Sequence, residues 1–80
     1  MNNQSIPFTK TEFSIIELLS KNSSTTFSKD EIYDYLWGYD KDGDSNIITE
    51  HIRRIRKKFR DVTDRELINT VWGQGYKWIG

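Results

Sequence analysis

The chain has 80 residues, room for one small domain with a modest core, and its twelve basic and twelve acidic side chains cancel at pH 7. A hydrophobic content of 35% beside 30% charged residues suits a folded chain rather than a disordered one, and the absence of cysteine excludes disulfides, thiolate catalysis and zinc-finger ligation. No apolar run approaches the ~18 residues of a membrane span, and MNNQSIPF lacks the charge and apolar core of a signal peptide, so a cytoplasmic location is permitted.

Thr9-Lys10-Thr11-Glu12 has the form of a capping box, with Thr9 as N-cap and Glu12 reaching back. Phe13, Ile16 and Leu19, with Ile15 and Leu18 beside them, follow at helical spacing. They predict an amphipathic helix that stops in Asn22-Ser23-Ser24. Thr25-Thr26-Phe27 is short and β-prone, a single strand. Ser28-Lys29-Asp30-Glu31 is a second capping box, and the helix it opens carries Ile32, Tyr33, Leu36 and Trp37 and ends at Gly38.

The next stretch, DKDGDSNIITEH over residues 40–51, opens like an EF-hand loop, with Asp40, Asp42 and Asp44 on the first three ligand positions. The match then fails. Ser45 stands where the loop needs glycine, His51 where it needs a bidentate Glu, and Glu50 sits one residue early. The expectation is a solvated acidic loop whose Asp44 or Ser45 caps the next helix, with no metal or other cofactor.

That helix is predicted over 46–60. Ile48, Ile52, Ile55 and Phe59 fall at steps of four, three and four on one stripe. Asn46, Glu50, Arg53 and Lys57 lie opposite, flanked by Thr49, Arg54 and Arg60, and Glu50 and Arg54 are spaced to pair at i, i+4. Residues 67–71 and 76–79 then read as two strands joined by Trp72-Gly73-Gln74-Gly75, a hairpin over 67–79.

The order helix, strand, helix, helix, hairpin is that of a winged helix. This is an α+β domain with a three-helix core, a helix-turn-helix and a C-terminal β-hairpin wing. Charge is unevenly spread along it. Residues 30–44 hold six acidic side chains against Lys41 alone, whereas residues 53–60 hold six basic and no acidic ones. A neutral domain can thus still present a cationic face. Cations opposite a firm apolar stripe, with few acids to neutralise them, fit the major groove of DNA, arginines to guanine edges and lysines to phosphates. The plainer alternative is a solvated charged face.

Other constellations are weaker. Gly73 and Gly75 suggest a dinucleotide loop, but Trp78 stands where a third glycine belongs, and the segment joins two strands. Tyr76 and Trp78 are expected in core or sheet packing, and Trp72 at the turn is expected to be exposed. His51 has no triad partner and no second metal ligand nearby, so packing or a phosphate hydrogen bond is its expected role. No set of residues assembles a catalytic site, and an enzyme is not expected.

Four segments carry a family resemblance: Thr11-Glu12-Phe13, Leu36-Trp37-Gly38, the run from His51 to Phe59, and the run from Thr70 to Tyr76. In order and over residues 9–79, they resemble the C-terminal effector domain of OmpR/PhoB-type response regulators. The resemblance implies sequence-specific binding of double-stranded DNA at promoter half-sites, as a tandem or symmetric pair. It also implies a receiver domain in a longer chain, a cognate sensor histidine kinase, and contact with RNA polymerase. Residues 1–80 would form one domain, with 46–60 the recognition helix. Residues 1–8 would be a remnant of the four-stranded sheet that precedes the first helix in the family. A rival reading makes the chain a protein-interaction winged helix that works through the acidic loop 40–44.

Carried over position by position, the resemblance places the major-groove arginine at Arg54 and a phosphate contact at Arg53, with Lys57 beside them. Thr49 and Glu50 fall on base-facing positions, Thr70 on a wing residue that touches the DNA backbone, and Tyr76 on the aromatic after the wing turn. Trp37 falls on a tryptophan that packs the helix pair and approaches a phosphate. Three positions depart from the pattern. Trp72 replaces a wing arginine, Asn46-Ile47 replaces an Arg-Thr pair, and Glu50 replaces an apolar residue that meets thymine methyls. The carboxylate of Glu50 is suited either to accept from a cytosine amine or to orient Arg54.

Overall fold

A computed structural model describes residues 6–38 and 43–80. Its elements run α1 (Lys10–Lys21), β1 (Thr26–Phe27), α2 (Lys29–Trp37), α3 (Ile47–Arg60), β2 (Ile68–Val71) and β3 (Gly75–Trp78).

Both capping boxes form. Thr9 Oγ1 accepts from the Glu12 amide at 3.1 Å while Glu12 Oε1 accepts from the Thr9 amide at 3.0 Å. Ser28 and Glu31 repeat the exchange at 3.0 and 2.8 Å. Each box satisfies two amides that a helix start leaves without partners. The face of α1 that reaches the core is not centred where its apolar residues suggest. Ile15 and Leu19 are fully buried, but Phe13 is 58% exposed and the carboxylate of Glu12 takes the inner position instead.

Neither expected residue is the N-cap of α3: that place falls to Asn46, whose side chain makes no capping bond, and Asp44 acts just before it. Asp44 Oδ1 accepts from the Asn46 amide at 3.0 Å, and the amides of Ile47, Ile48 and Thr49 bond back three residues in a tightened first turn. Ile48, Ile52 and Ile55 are then fully buried, and Phe59 packs tilted against Phe8 at 5.2 Å and edge-on to Trp78 at 6.2 Å.

The sheet is larger than the hairpin the sequence predicts. β1 pairs antiparallel with β3, Phe27 opposite Tyr76, giving three strands in the order β1-β3-β2. A lone two-stranded hairpin is marginal in water. Here β1 covers one edge and ties the hairpin to the helices. The crossing needs Gly75, whose φ is +154° and whose added Cβ would run into the Phe27 carbonyl. At the hairpin tip Gln74 N donates to Val71 O at 2.9 Å with Gly73 at φ +81°, the glycine position of a type II turn.

Ile15 and Leu19 from α1, Ile32 and Tyr33 from α2, the three α3 isoleucines, and Ile68 and Tyr76 from the sheet form one core. This is the expected α+β winged helix: three helices closed by a small antiparallel sheet. Of the segment expected as a sheet remnant, Ile6–Phe8 is described, and it makes no strand. Phe8 instead packs on Phe59, and Lys58 Nζ donates to the Pro7 carbonyl at 2.9 Å. Residues 1–5 lie outside the described residues, as do Asp40 and Asp42 of the acidic loop.

Candidate nucleic-acid interface

The fold divides the cationic run of α3 in two. Arg56 and Lys58 turn inward. Arg56 Nη2 donates to Thr70 Oγ1 at 2.6 Å and to the Ile68 carbonyl at 3.2 Å, and its guanidinium lies 5.7 Å from the centre of the Tyr76 ring. Its Nε is buried with no partner among the described residues. Lys58 bonds Glu12 Oε1 and Pro7 O. These two cations lock α3 to the hairpin on one side and to α1 on the other.

Arg53, Arg54, Lys57 and Arg60 are exposed. Because α3 buries only its isoleucine stripe, these side chains share the outer surface with Asn46, Thr49 and Glu50. The expected pairing of Glu50 with Arg54 does not form. Glu50 Oε1 accepts from Arg53 Nη2 at 2.8 Å, one step closer along the helix. This bond and the Arg53 charge hold the Glu50 carboxyl below its usual range. Arg54 is thereby left without an ion-pair partner among the described residues, as are Lys57 and Arg60.

A second group lines a cleft between the start of α2, the start of α3 and the hairpin tip. It includes Lys29, Thr49, Thr70, Trp72 and Tyr76. Trp72 is 89% exposed, as expected of a residue at the turn. Thr70 is half-buried, and the bond from Arg56 occupies its hydroxyl oxygen, leaving the hydroxyl hydrogen free to donate outward. Tyr76 is 8% exposed and belongs to the core, so its ring is committed to packing. Asn46 is largely occupied internally: its side-chain oxygen accepts from Lys29 Nζ at 2.8 Å and its amide nitrogen donates to Asp44.

Trp37 stands apart from both groups. Its ring is half-buried beside Tyr33 at 4.8 Å and His51 at 6.4 Å, packing α2 onto α3. His51 sits in that contact with Nδ1 buried and without a partner among the described residues, which favours its packing role. Burial, then the Arg54 charge, lowers its pKa, which favours the neutral ring. Two residues of this surface escaped the sequence pattern. Lys29 was legible only as a capping-box neighbour, and Arg56 only as one more member of a basic run.

This geometry has close counterparts. Over residues 3–78 the chain matches the family described as "Transcriptional regulatory protein, C terminal". It is 41% identical over 78 residues to the transcriptional regulatory protein SpaR of Bacillus subtilis, covering 98% of this chain and 35% of that one. It is 34% identical over 76 residues to the response regulator ArlR of Staphylococcus haemolyticus, covering 95% and 35%. The DNA-binding domain of Bacillus subtilis CssR superposes with a TM-score of 0.79 at 26% identity, covering 92% of this chain and 80% of that domain.

The fold is that of winged-helix domains found in response regulators. The chain belongs to the C-terminal domain family of transcriptional regulatory proteins, of the OmpR/PhoB type. It spans about a third of the length of these curated relatives.

Proposed function

We propose that the chain binds double-stranded DNA sequence-specifically, as the effector domain of a bacterial response regulator, with α3 in the major groove. One observation carries the reading: α3 keeps Arg53, Arg54, Lys57 and Arg60 exposed, away from its buried isoleucines, while Thr49 of the same helix lines the cleft closed by the hairpin. Arg54, free of any carboxylate among the described residues, is the arginine for a guanine edge. Lys57 and Arg60 are placed for phosphates.

On this reading residues 46–60 are the recognition helix and 67–79 the wing of a single domain. The Thr70 hydroxyl and Trp72 lie along the flanking backbone. A place in a longer cytoplasmic regulator, with a receiver domain and a sensor kinase upstream, is part of this proposal, and the third of its relatives' length that the chain spans supports the longer chain. Pairing on repeated half-sites and contact with RNA polymerase belong to the same proposal. The rival interaction surface, loop 40–44, falls mostly outside the described residues.

Titration with random duplex at two salt concentrations, followed by selection from a random library, tests the reading. Affinity should fall steeply with salt and one motif should be enriched. A flat salt response would overturn it, because phosphate contacts must release counterions.

A further inference from the structure

We infer that Glu50 is a specificity-determining residue that selects cytosine at one position of the bound site, with Arg53 as its positioning partner. The inference rests on the DNA-binding reading above and sharpens it.

Glu50 is the only acidic side chain on the outer face of α3, set among Arg53, Arg54 and Lys57. A carboxylate there opposes phosphate binding, so mere adhesion to DNA gives no reason for it. An ionised carboxylate only accepts hydrogen bonds. Guanine and thymine present acceptors at their major-groove edges, so both repel it, and adenine sets an N7 acceptor beside its N6 donor, whereas cytosine offers the N4 amine alone and donates to it.

The bond from Arg53 reaches only Oε1 and leaves Oε2 open, while both side chains remain more than half exposed. Arg53 therefore steadies the carboxylate and offsets its charge without hiding it. An exposed pair at i, i+3 adds little to the fold. The competing account makes Glu50 a first-turn acid that favours the helix dipole. That role would show in thermal stability and not in base preference.

The test is selection from a random duplex library with the wild type, Glu50→Ala and Glu50→Gln, together with thermal melting of each. The wild type should require a C·G pair at one position. Glu50→Ala should keep the rest of the motif, lose that preference by roughly tenfold, on the scale of one base contact, and bind random duplex more tightly. Glu50→Gln should turn the same position towards adenine, whose N6 and N7 match a glutamine amide. Melting should be nearly unchanged in both. A motif indifferent to both substitutions overturns the assignment, as does a lowered melting temperature with unchanged base preference. Failure of the wild type to enrich any motif, with salt-independent binding, would overturn the DNA-binding reading itself.

Discussion

Lys58, carried on α3, places its ammonium 2.5 Å from Glu12 Oε1 at the foot of α1, and the same ammonium donates to the Pro7 carbonyl at 2.9 Å. Glu12 is 1% exposed, so its charge depends on that partner. Removing one member of such a pair leaves the other uncompensated. Because Lys58 keeps some solvent contact, Lys58→Met should cost about 2–3 kcal/mol, below the 3–5 of a wholly buried pair. Chemical denaturation measures it. A loss within 0.5 kcal/mol would show the pair to be dispensable.

The same pair sets the acid response. Burial works against ionisation of Glu12, yet the Lys58 hydrogen bond, the Thr9 amide and the Lys58 charge hold its carboxyl below the usual 4.5. A carboxyl depressed in the folded state adds stability above its unfolded pKa and loses it as pH falls through the folded value. Stability from this site should hold from neutral pH down to about 4.5 and decline below it. In Lys58→Met, which loses the Lys58 hydrogen bond and charge but keeps the Thr9 amide, the penalty should shrink on acidification as Glu12 takes up a proton. Melting temperatures of both proteins from pH 7 to pH 3 decide it, and parallel curves would refute the linkage.

Arg54 and Lys57 are both exposed, but only arginine can hold guanine O6 and N7 together. Arg54→Ala should reduce discrimination between target and random duplex by ~1–3 kcal/mol. Lys57→Ala should weaken both alike and reduce the salt slope by about one phosphate contact. Competition binding separates the two patterns. Intact specificity in Arg54→Ala would mean that α3 meets the groove by another face.

At the hairpin tip the exposed indole of Trp72 offers a flat apolar face and one donor but no charge. It cannot exploit the negative potential of a narrow A-tract minor groove. Trp72→Arg should raise affinity, steepen the salt dependence and add a preference for A·T pairs beside the half-site. Trp72→Ala should lower affinity and leave sequence preference alone. A Trp72→Arg variant that binds no better would defeat this account of the wing.

Arg56 is the tie between α3 and β2, through Thr70 Oγ1 and the Ile68 carbonyl. Both bonds come from Nη2 at the end of the side chain, and lysine keeps the charge but not the planar guanidinium that also lies over the Tyr76 ring. Arg56→Lys should therefore leave the helices folded while amide exchange in β2 and β3 quickens. Unchanged protection of the hairpin would show that β1 pairing alone holds it.

Much of this was legible along the chain. Two capping boxes, the strict Ile48-Ile52-Ile55 stripe and a glycine-bearing turn are local signals, decided within one or two turns of backbone, and the structure places each of them where the pattern put it. The split of the cationic run was not legible. The pattern shows Arg56 and Lys58 only as members of the basic run, and the approach of the sheet and of α1 turns them inward onto Thr70 and Glu12. Similarly, β1 is too short to announce its partner, and its pairing with β3 spans some fifty residues. Glu50 shows the same limit on a smaller scale. Spacing allowed Arg54 at i+4, while the packed helix gave the bond to Arg53 at i+3, because rotamers on a surface answer to their neighbours and not to the sequence interval alone.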